Sequence, residues 1–538
     1  MSKRTTIITV AAVVMAAAFV AVALTADRIA EKAATAQLHK TAAEKGIELK
    51  WSDLSIRLLH GSVRIDSLQC RIGQADSAFI DIHVQRLYAG RIYRLKLLRE
   101  RVLRIDKAEL TGPQIETCSP RKAAEMLKKQ QHDTTRTKRL PIARAEVKRV
   151  SIKDGRIAVS MLENKLQATA DSLCICLHEA AYDLRDSSLT FCDSLYAFSA
   201  CGTDFLSTDG LFRLSMASAA TADGGCLIAS GIRGGNTDRP EKHALNAGKV
   251  AATWAQFDIT ELRTSPVNIL RSLKQKEIKA DTLTVQGNYA TIYRNNQYPP
   301  RAPYPMPQEA LAKVPVPIEL RHATITLDRL QFSLTTDGSN AGTLELKNLS
   351  ARLRNITNHA GSTIHTALKS TLQDGGSINV NLDLKNNNMC TFGCKTEVTN
   401  TGGDNFGGFL RPIAGVNANC NIHRLNMDCH GNKHNQEGTF CMQYDSLKIH
   451  IDKDSPIEKL GKLAGVANAF APAVLVKSNP RHKGGEPQTY TTACTRDPWK
   501  PFPVYLFKPL GDGIVQTVLP PAIAKPVSKK MQQKNNRQ

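Results

Sequence analysis

Cys420, Cys429, His430 and His434 bring four metal-ligating side chains into one short stretch. Thiolate and imidazole are zinc ligands, but structural zinc sites repeat short, regular ligand spacings. The eight residues between Cys420 and Cys429 match no familiar ligand set, so no metal is expected. The remaining cysteines point away from chemistry as well. Cys70 shares a strand face with Leu68 and Ile72, and Cys429 shares one with Leu425 and Met427, where a thiol serves as a small hydrophobe. Cys174 and Cys176 lie on one face of one strand and point the same way, the wrong geometry for bridging each other. Thirteen cysteines is an odd number, so at least one thiol stays unpaired or bonds another chain.

Other catalytic arrangements are missing. No serine sits in a nucleophile elbow, no glycine-rich loop joins a strand to a helix, and no carboxylate pair stands in a recognisable frame. The glycine-rich segments "GGNTDRPEKH" and "NTGGDNFGG" read as turns between strands. The sequence therefore predicts no catalytic residue, no cofactor and no enzyme. Net charge is +22, which first suggests nucleic acid. Aromatics make up only 5 % of the chain, leaving little to stack bases on, and the N-terminus points to export, so nucleic acid is excluded as a partner. The charge then serves anionic lipid headgroups, or is no more than solvated strand faces and a basic tail.

The N-terminus places Lys3 and Arg4 before an uncharged run from Ile7 to Ala26. That run is about the twenty residues that a helix needs to cross a bilayer. It reads as an uncleaved anchor; the small-x-small triplet Ala21-Val22-Ala23 keeps a cleaved export signal as the alternative. Either way the chain beyond Ala26 is exported. Asp27 to Lys45 continues in helical pattern to a capping Gly46, as an extension of the anchor or as a helix lying on the membrane surface.

What must position any site is strand. "ADSLCICL" at 170–177 has relatives at 65–72, 192–199, 280–287, 327–334, 346–353, 422–429 and 444–451. In nearly all a polar pair precedes Leu, and alternate residues after it are apolar, the period of a strand with one greasy face. "SINVNLDL" adds another strand, and Asp154-Gly155 reads as a two-residue hairpin turn between Ile152 and Ile157. Residues 79–112 align without a gap on 254–287, matching Leu87 with Leu262, Asp106 with Asp281 and Gly112 with Gly287, which implies duplication. Ser119-Pro120, Ser265-Pro266 and Ser455-Pro456 each predict the start of a short helix. With no regular alternation of strand and helix, the strands are expected to be antiparallel throughout.

Each large apolar side chain left in water forgoes roughly 1.5–3 kcal/mol, so these faces must be covered by something. The helices are too few, and aromatic residues suited to sandwich cores are scarce. An aliphatic trough matched to acyl chains is the expectation. Its lining is read as Leu68, Cys70 and Ile72; Leu173, Ile175 and Leu177; Leu283 and Val285; Leu330, Phe332 and Leu334; Leu349 and Leu353; Val380 and Leu382; Leu425 and Met427; Leu447 and Ile451. The fold class is thus mainly β, an N-terminal transmembrane helix followed by an elongated, curled antiparallel β-sheet groove with a few short helices. The domains run 1–26 (cytoplasmic stub and anchor), 27–46 (juxtamembrane helix), 47–298 (first groove region), 299–317 (proline-rich linker), 318–454 (second groove region), 455–520 (C-terminal cap with short helices) and 521–538 (basic disordered tail).

The anchor followed by "GIELKWSDLSIRLLHGSVRIDSLQCRI", then "LLRERVLRIDKAELTGPQI", then the closing Asn479-Pro480, Arg496-Asp497-Pro498 and Tyr505-Leu506 segment resembles the AsmA-like proteins of bacterial envelopes, relatives of the TamB and bridge-like lipid-transfer group. The resemblance implies a periplasmic groove, tethered to the inner membrane, that shelters phospholipid tails between envelope membranes. The proline-rich stretch, the many cysteines and the modest length depart from that pattern. The competing expectation is a membrane-tethered scaffold of closed sandwiches that binds outer-membrane or other envelope assembly proteins through a strand edge.

Overall fold

In the computed structural model of the chain, the alternating apolar segments are strands, and most are longer than the octets that announce them. The structure describes residues 27–520 and residue 524, apart from 45–46, 58–60, 74–77, 94–95, 97–98, 119–142, 162–166, 184–187, 193–195, 208, 247–248, 252, 268–271, 273–274, 336–339, 415 and 453–474. The expected membrane span Ile7 to Ala26, Gly46, the helix starts at Ser119-Pro120 and Ser455-Pro456 and the basic tail lie outside the described residues. Among the described residues no helix is long and apolar enough to cross a membrane.

The chain divides into two compact units, residues 1–237 with 266–274, and residues 238–265 with 275–538. The first contains α1 (Asp27–Glu44) and the strands β1 (Ile47–Lys50), β2 (Asp53–Arg57), β3 (Ser62–Gly73), β4 (Phe79–Ile92), β5 (Val102–Cys118), β6 (Arg144–Ser160), β7 (Gln167–Asp183), β8 (Ser188–Thr190), β9 (Tyr196–Leu206), β10 (Phe212–Ala222) and β11 (Cys226–Asn236). Strands β1 and β2 pair with opposite halves of β3, and the ladder then runs β3-β4-β5-β6-β7-β9-β10-β11, with β8 on the end of β7.

The second unit contains α2 (Pro240–Asn246), β12 (Thr253–Pro266), β13 (Ile278–Asn295), α3 (Pro307–Ala312), β14 (Ile318–Thr335), β15 (Ala341–Thr357), β16 (Thr363–Thr371), β17 (Ser377–Lys385), β18 (Phe392–Gly402), α4 (Gly407–Ala414), β19 (Val416–Gly431), β20 (Asn435–Ile451), β21 (Thr489–Thr495), α5 (Phe502–Leu506) and α6 (Lys508–Val518). Its strands pair strictly in chain order from β12 to β21.

The expectation of antiparallel pairing throughout is corrected by two parallel pairs, β5 with β6 and β13 with β14. Parallel neighbours need a crossover of a dozen residues or more. Residues 119–143 supply one and the proline-rich 299–317, which holds α3, supplies the other. That proline-rich stretch therefore lies within one compact unit and connects its strands. The internal repeat is structural. Phe79 stands opposite Cys118 as Trp254 stands opposite Tyr293, Leu87 opposite Leu110 as Leu262 opposite Val285, and each hairpin is followed by its parallel neighbour.

Long strands stay apolar on one face because their alternation is interrupted at intervals. In β14 the apolar residues are Ile318 and Leu320, then Ala323, Ile325 and Leu327, then Leu330, Phe332 and Leu334, separated by the pairs Arg321-His322 and Asp328-Arg329. The ladder to β15 skips the pairs Arg321 with Asn355 and Asp328 with Asn348, where Asn355 and Asn348 take φ of 58° and 51°. Both strands step together, so their register continues on the far side. In the first unit Ser67, Gly112, Asp154, Ser172, Gly202 and Gly231 form the same kind of line on β3, β5, β6, β7, β9 and β11, all at positive φ. Bulges of this kind bend the strand and increase its twist. Short polar residues or glycine occupy them because the left-handed region costs other residues about 1–2 kcal/mol.

Two local expectations are corrected here. Asp154-Gly155 is no hairpin turn but a step in the middle of β6, since the same left-handed preference serves both. The helix expected from Ser265-Pro266 does not start there: β12 continues to Pro266, the Ser265 hydroxyl accepts the backbone N–H groups of Asp281 and Thr282 at 2.9 and 3.1 Å, and helical residues follow at Ser272 and Gln275, beyond a start that lies outside the described residues. The segments read as glycine-rich turns also carry helix, α2 in one and a 3₁₀ turn at Gly403–Phe406 running into α4 in the other. The step requirement predicts that Asn348→Val lowers stability by about 1–2 kcal/mol, measured by the denaturant midpoint, while Asn348→Gly leaves it unchanged. Equal midpoints for the two variants contradict it.

Candidate functional site

The steps align apolar residues into rows that cross the strands, and exposure along a row shows where the sheet is covered. In the second unit one row runs Leu262, Val285, Ile325, Ala351, Leu368, Val380, Thr396, Met427, Phe440 from β12 to β20. Leu262, Val285 and Ile325 are half-buried, whereas Met427 is 1 % and Phe440 0 % exposed. The far end is sealed by α6, whose Gly513 sits so close to Phe440 that an added Cβ would come within 2.2 Å of the ring. In the first unit the row Leu87, Leu110, Ile152, Ile175, Phe198 starts buried at Leu87, 4 % exposed, and is half-buried from Leu110 onward.

Two closed cores explain the sealed ends. In the first unit Ala34, Leu38 and Ala42 of α1 are buried in one core with residues of β1 to β5, and Glu31 accepts the Ile56 backbone N–H at 3.2 Å. The helix after the expected anchor therefore has its apolar side on the sheet. In the second unit Phe502, Tyr505, Leu506 and Val518 of α5 and α6 close over Phe392, Met427, Phe440 and Tyr444. Helix α4 packs on β14, β15 and β19, with Phe409 6.0 Å from the Phe332 ring. Among the described residues no helix packs on β6, β7, β9, β10 or β11 beyond a marginal contact. Their inner-facing Val150, Ile152, Ile175, Leu177, Phe198, Phe205, Leu214 and Met216 are half-buried and belong to neither closed core.

The residues read from sequence as lining divide accordingly. Cys70 and Ile72, with Leu68 packed against them, lie in the closed core of the first unit, and Leu425, Met427 and Leu447 in that of the second, with Val380 and Leu382 against it. Leu173 and Leu349 are buried at 9 and 5 %. Ile175, Leu177, Leu283, Val285, Leu330, Phe332, Leu334 and Leu353 are half-buried. Ile451 ends β20, and its side chain lies outside the described residues. The sequence reading missed Phe205, Leu214 and Met216. Their signal was the plain alternation Phe212, Leu214, Met216, which no polar pair introduces.

The opposite faces of these strands carry the charge. Arg213 pairs with Asp204 at 2.8 Å, Lys153 with Glu109 at 3.1 Å, Arg156 with Asp171 at 3.1 Å and Lys395 with Asp428 at 3.1 Å, each across adjacent strands. Hydrogen bonds from Lys107 and Lys153 hold the Glu109 carboxyl below the usual carboxylate range. Such exposed pairs contribute at most about 1 kcal/mol each, so this part of the basic excess is a solvated strand face.

The thiols follow the same division. Cys394 and Cys429 are registered partners across β18 and β19, each 1 % exposed. The structure splits the sequence cluster by face, because Cys420 and Cys429 are buried while His430 is exposed and holds Glu437 at 3.1 Å. Burial pushes the Cys70 and Cys420 thiols up to about 11. Compared with known proteins, the chain matches no family model and no curated protein sequence. The geometry is that of a sheet face sealed at one end of each unit and, among the described residues, left without a helical cover across β6, β7 and β9–β11. For the thiols, the expected outcome is alkylation of Cys70 and Cys420 at least about a hundredfold slower than of exposed Cys201 at pH 8, read by peptide mass spectrometry. Comparable rates contradict the closed cores.

Proposed function

We propose that this protein carries phospholipid acyl chains on the uncovered apolar face of its sheets, as an envelope lipid conduit of the AsmA-like kind and not as an enzyme. One observation carries the reading: the rows through Ile175 and Phe198 are aliphatic and aromatic, continuous across strands, and only half-buried, with no described helix over them. Each such side chain keeps back a share of the roughly 1.5–3 kcal/mol that full burial releases. An acyl chain collects that share without a directional contact, which suits a lining that offers no convergent polar groups.

On this reading the N-terminal run Ile7 to Ala26 tethers the chain to the inner membrane and the rest is periplasmic. Helix α1 supports the arrangement, since it follows that run and seals the first unit where the chain enters the sheet. The lipid then occupies the strands beyond the seal.

Ile175→Asp with Leu177→Asp places two carboxylates on the floor, while Ala197→Asp places one on the outer face of β9 as a control. Phospholipid that co-purifies with the chain, counted by mass spectrometry, is expected to be lost from the double variant and kept by Ala197→Asp, with unchanged circular dichroism in both. Equal lipid in the two proteins refutes the reading.

A further inference from the structure

The described residues include six large hydrophobics that are well exposed, and four of them, Met389 (43 %), Trp499 (50 %), Val504 (42 %) and Phe507 (38 %), stand on segments of the second unit that hydrogen bonds join. Two backbone bonds and one side-chain bond tie their segments together. The Met389 carbonyl accepts the Lys433 N–H at 2.9 Å, the His434 carbonyl accepts that of Arg496 at 2.8 Å, and the Tyr505 hydroxyl donates to the Asn432 carbonyl at 3.0 Å. Helix α5 is apolar on both sides. Phe502 and Tyr505 are buried against Phe392, at ring separations of 5.4 and 5.8 Å, while Val504 and Phe507 face water one turn apart.

Cations surround this tip. Lys433, Lys500 and Lys508 stand on the same segments, whereas the Arg496 guanidinium turns inward, donating to the Tyr304 carbonyl with its Nε buried; of the nearby carboxylates, Asp497 holds Lys500 at 3.8 Å, Glu437 is taken by His430 and Glu309 accepts the Met306 backbone N–H at 2.8 Å. Among the described residues the Lys508 ammonium donates to the Thr495 carbonyl alone, at 3.3 Å. A fold that buries Phe392 to 5 % has no structural reason to leave a tryptophan, a phenylalanine, a valine and a methionine in water beside that core.

We infer that this tip is a membrane-contact site that seats in the interface of an anionic lipid bilayer. Trp499 and Phe507 enter the headgroup boundary, where aromatic side chains are favoured. Lys433, Lys500 and Lys508 meet lipid phosphates. A protein partner fits less well, because the patch is a set of projecting tips whose carboxylates are already engaged while Lys433 and Lys508 make no ion pair among the described residues. This contact does not depend on the proposed lipid-bearing floor.

The test uses the full chain held in neutral nanodiscs and mixed with vesicles of brominated phosphatidylcholine, with or without phosphatidylglycerol. The Trp499 signal is the difference between the native chain and Trp499→Phe. Quenching is expected with phosphatidylglycerol present, at least tenfold weaker without it, and at least tenfold weaker in Val504→Ser with Phe507→Ser. No quenching by either vesicle overturns the inference. So does equal quenching by both, or a Trp499 emission shift that follows protein concentration without vesicles, which marks a protein contact. Neither result alters the lipid count on the floor, so the two readings fail separately.

Discussion

The structure depends on keeping one face apolar along strands of up to 18 residues while the sheet twists. A strand with strict alternation keeps its faces but follows the sheet's ordinary twist. Here two residues are spent at intervals on a step, and neighbouring strands take the step together, so pairing survives while the strand bends. Ser67, Asp154, Ser172, Asn348 and Ser446 hold left-handed backbone at these lines, and each is short and polar. The apolar groups on either side then point the same way. Without the step every apolar residue beyond it would turn outward into water.

Closure at the ends follows from where helices are available. Helix α1 brings alanines and one leucine, small enough to lie close on β1 and β2, and α6 brings Gly513 onto Phe440. On β6, β7 and β9–β11 the inner faces rely, among the described residues, on neighbouring strands. Small residues such as Ala168, Ala170, Ala200 and Ala219 stand beside Leu173, Phe198 and Met216 in these strands. A floor built this way is smooth and greasy, which suits the acyl-chain occupant proposed above.

Much of this was legible in sequence. The octets located strands, the aligned segments 79–112 and 254–287 located duplicated hairpins in one register, and Cys70, Cys429 and their neighbours were read onto the correct faces. The polar pair ahead of each leucine was visible too, but its meaning was not: periodicity within eight residues cannot reveal that Ile65 and Leu68, three apart, share a face. Asp154-Gly155 shows the same limit, since a left-handed pair serves a turn or a bulge and only the pairing partner decides. The parallel pairs were signalled by connections too long for hairpins. Which lining residues are sealed was beyond reach, because burial of Met427 or Ile72 depends on helices distant in sequence.

The central claim is that the floor at Ile175 is occupied by lipid and not by the chain itself. A photo-crosslinking amino acid placed at residue 175 of the full-length protein in its native membrane, followed by intact mass measurement, tests this most directly. The account predicts an added mass equal to a phospholipid, lost when the crosslinker moves to residue 197 on the outer face. Adducts at residue 175 that join only to other segments of this protein contradict it.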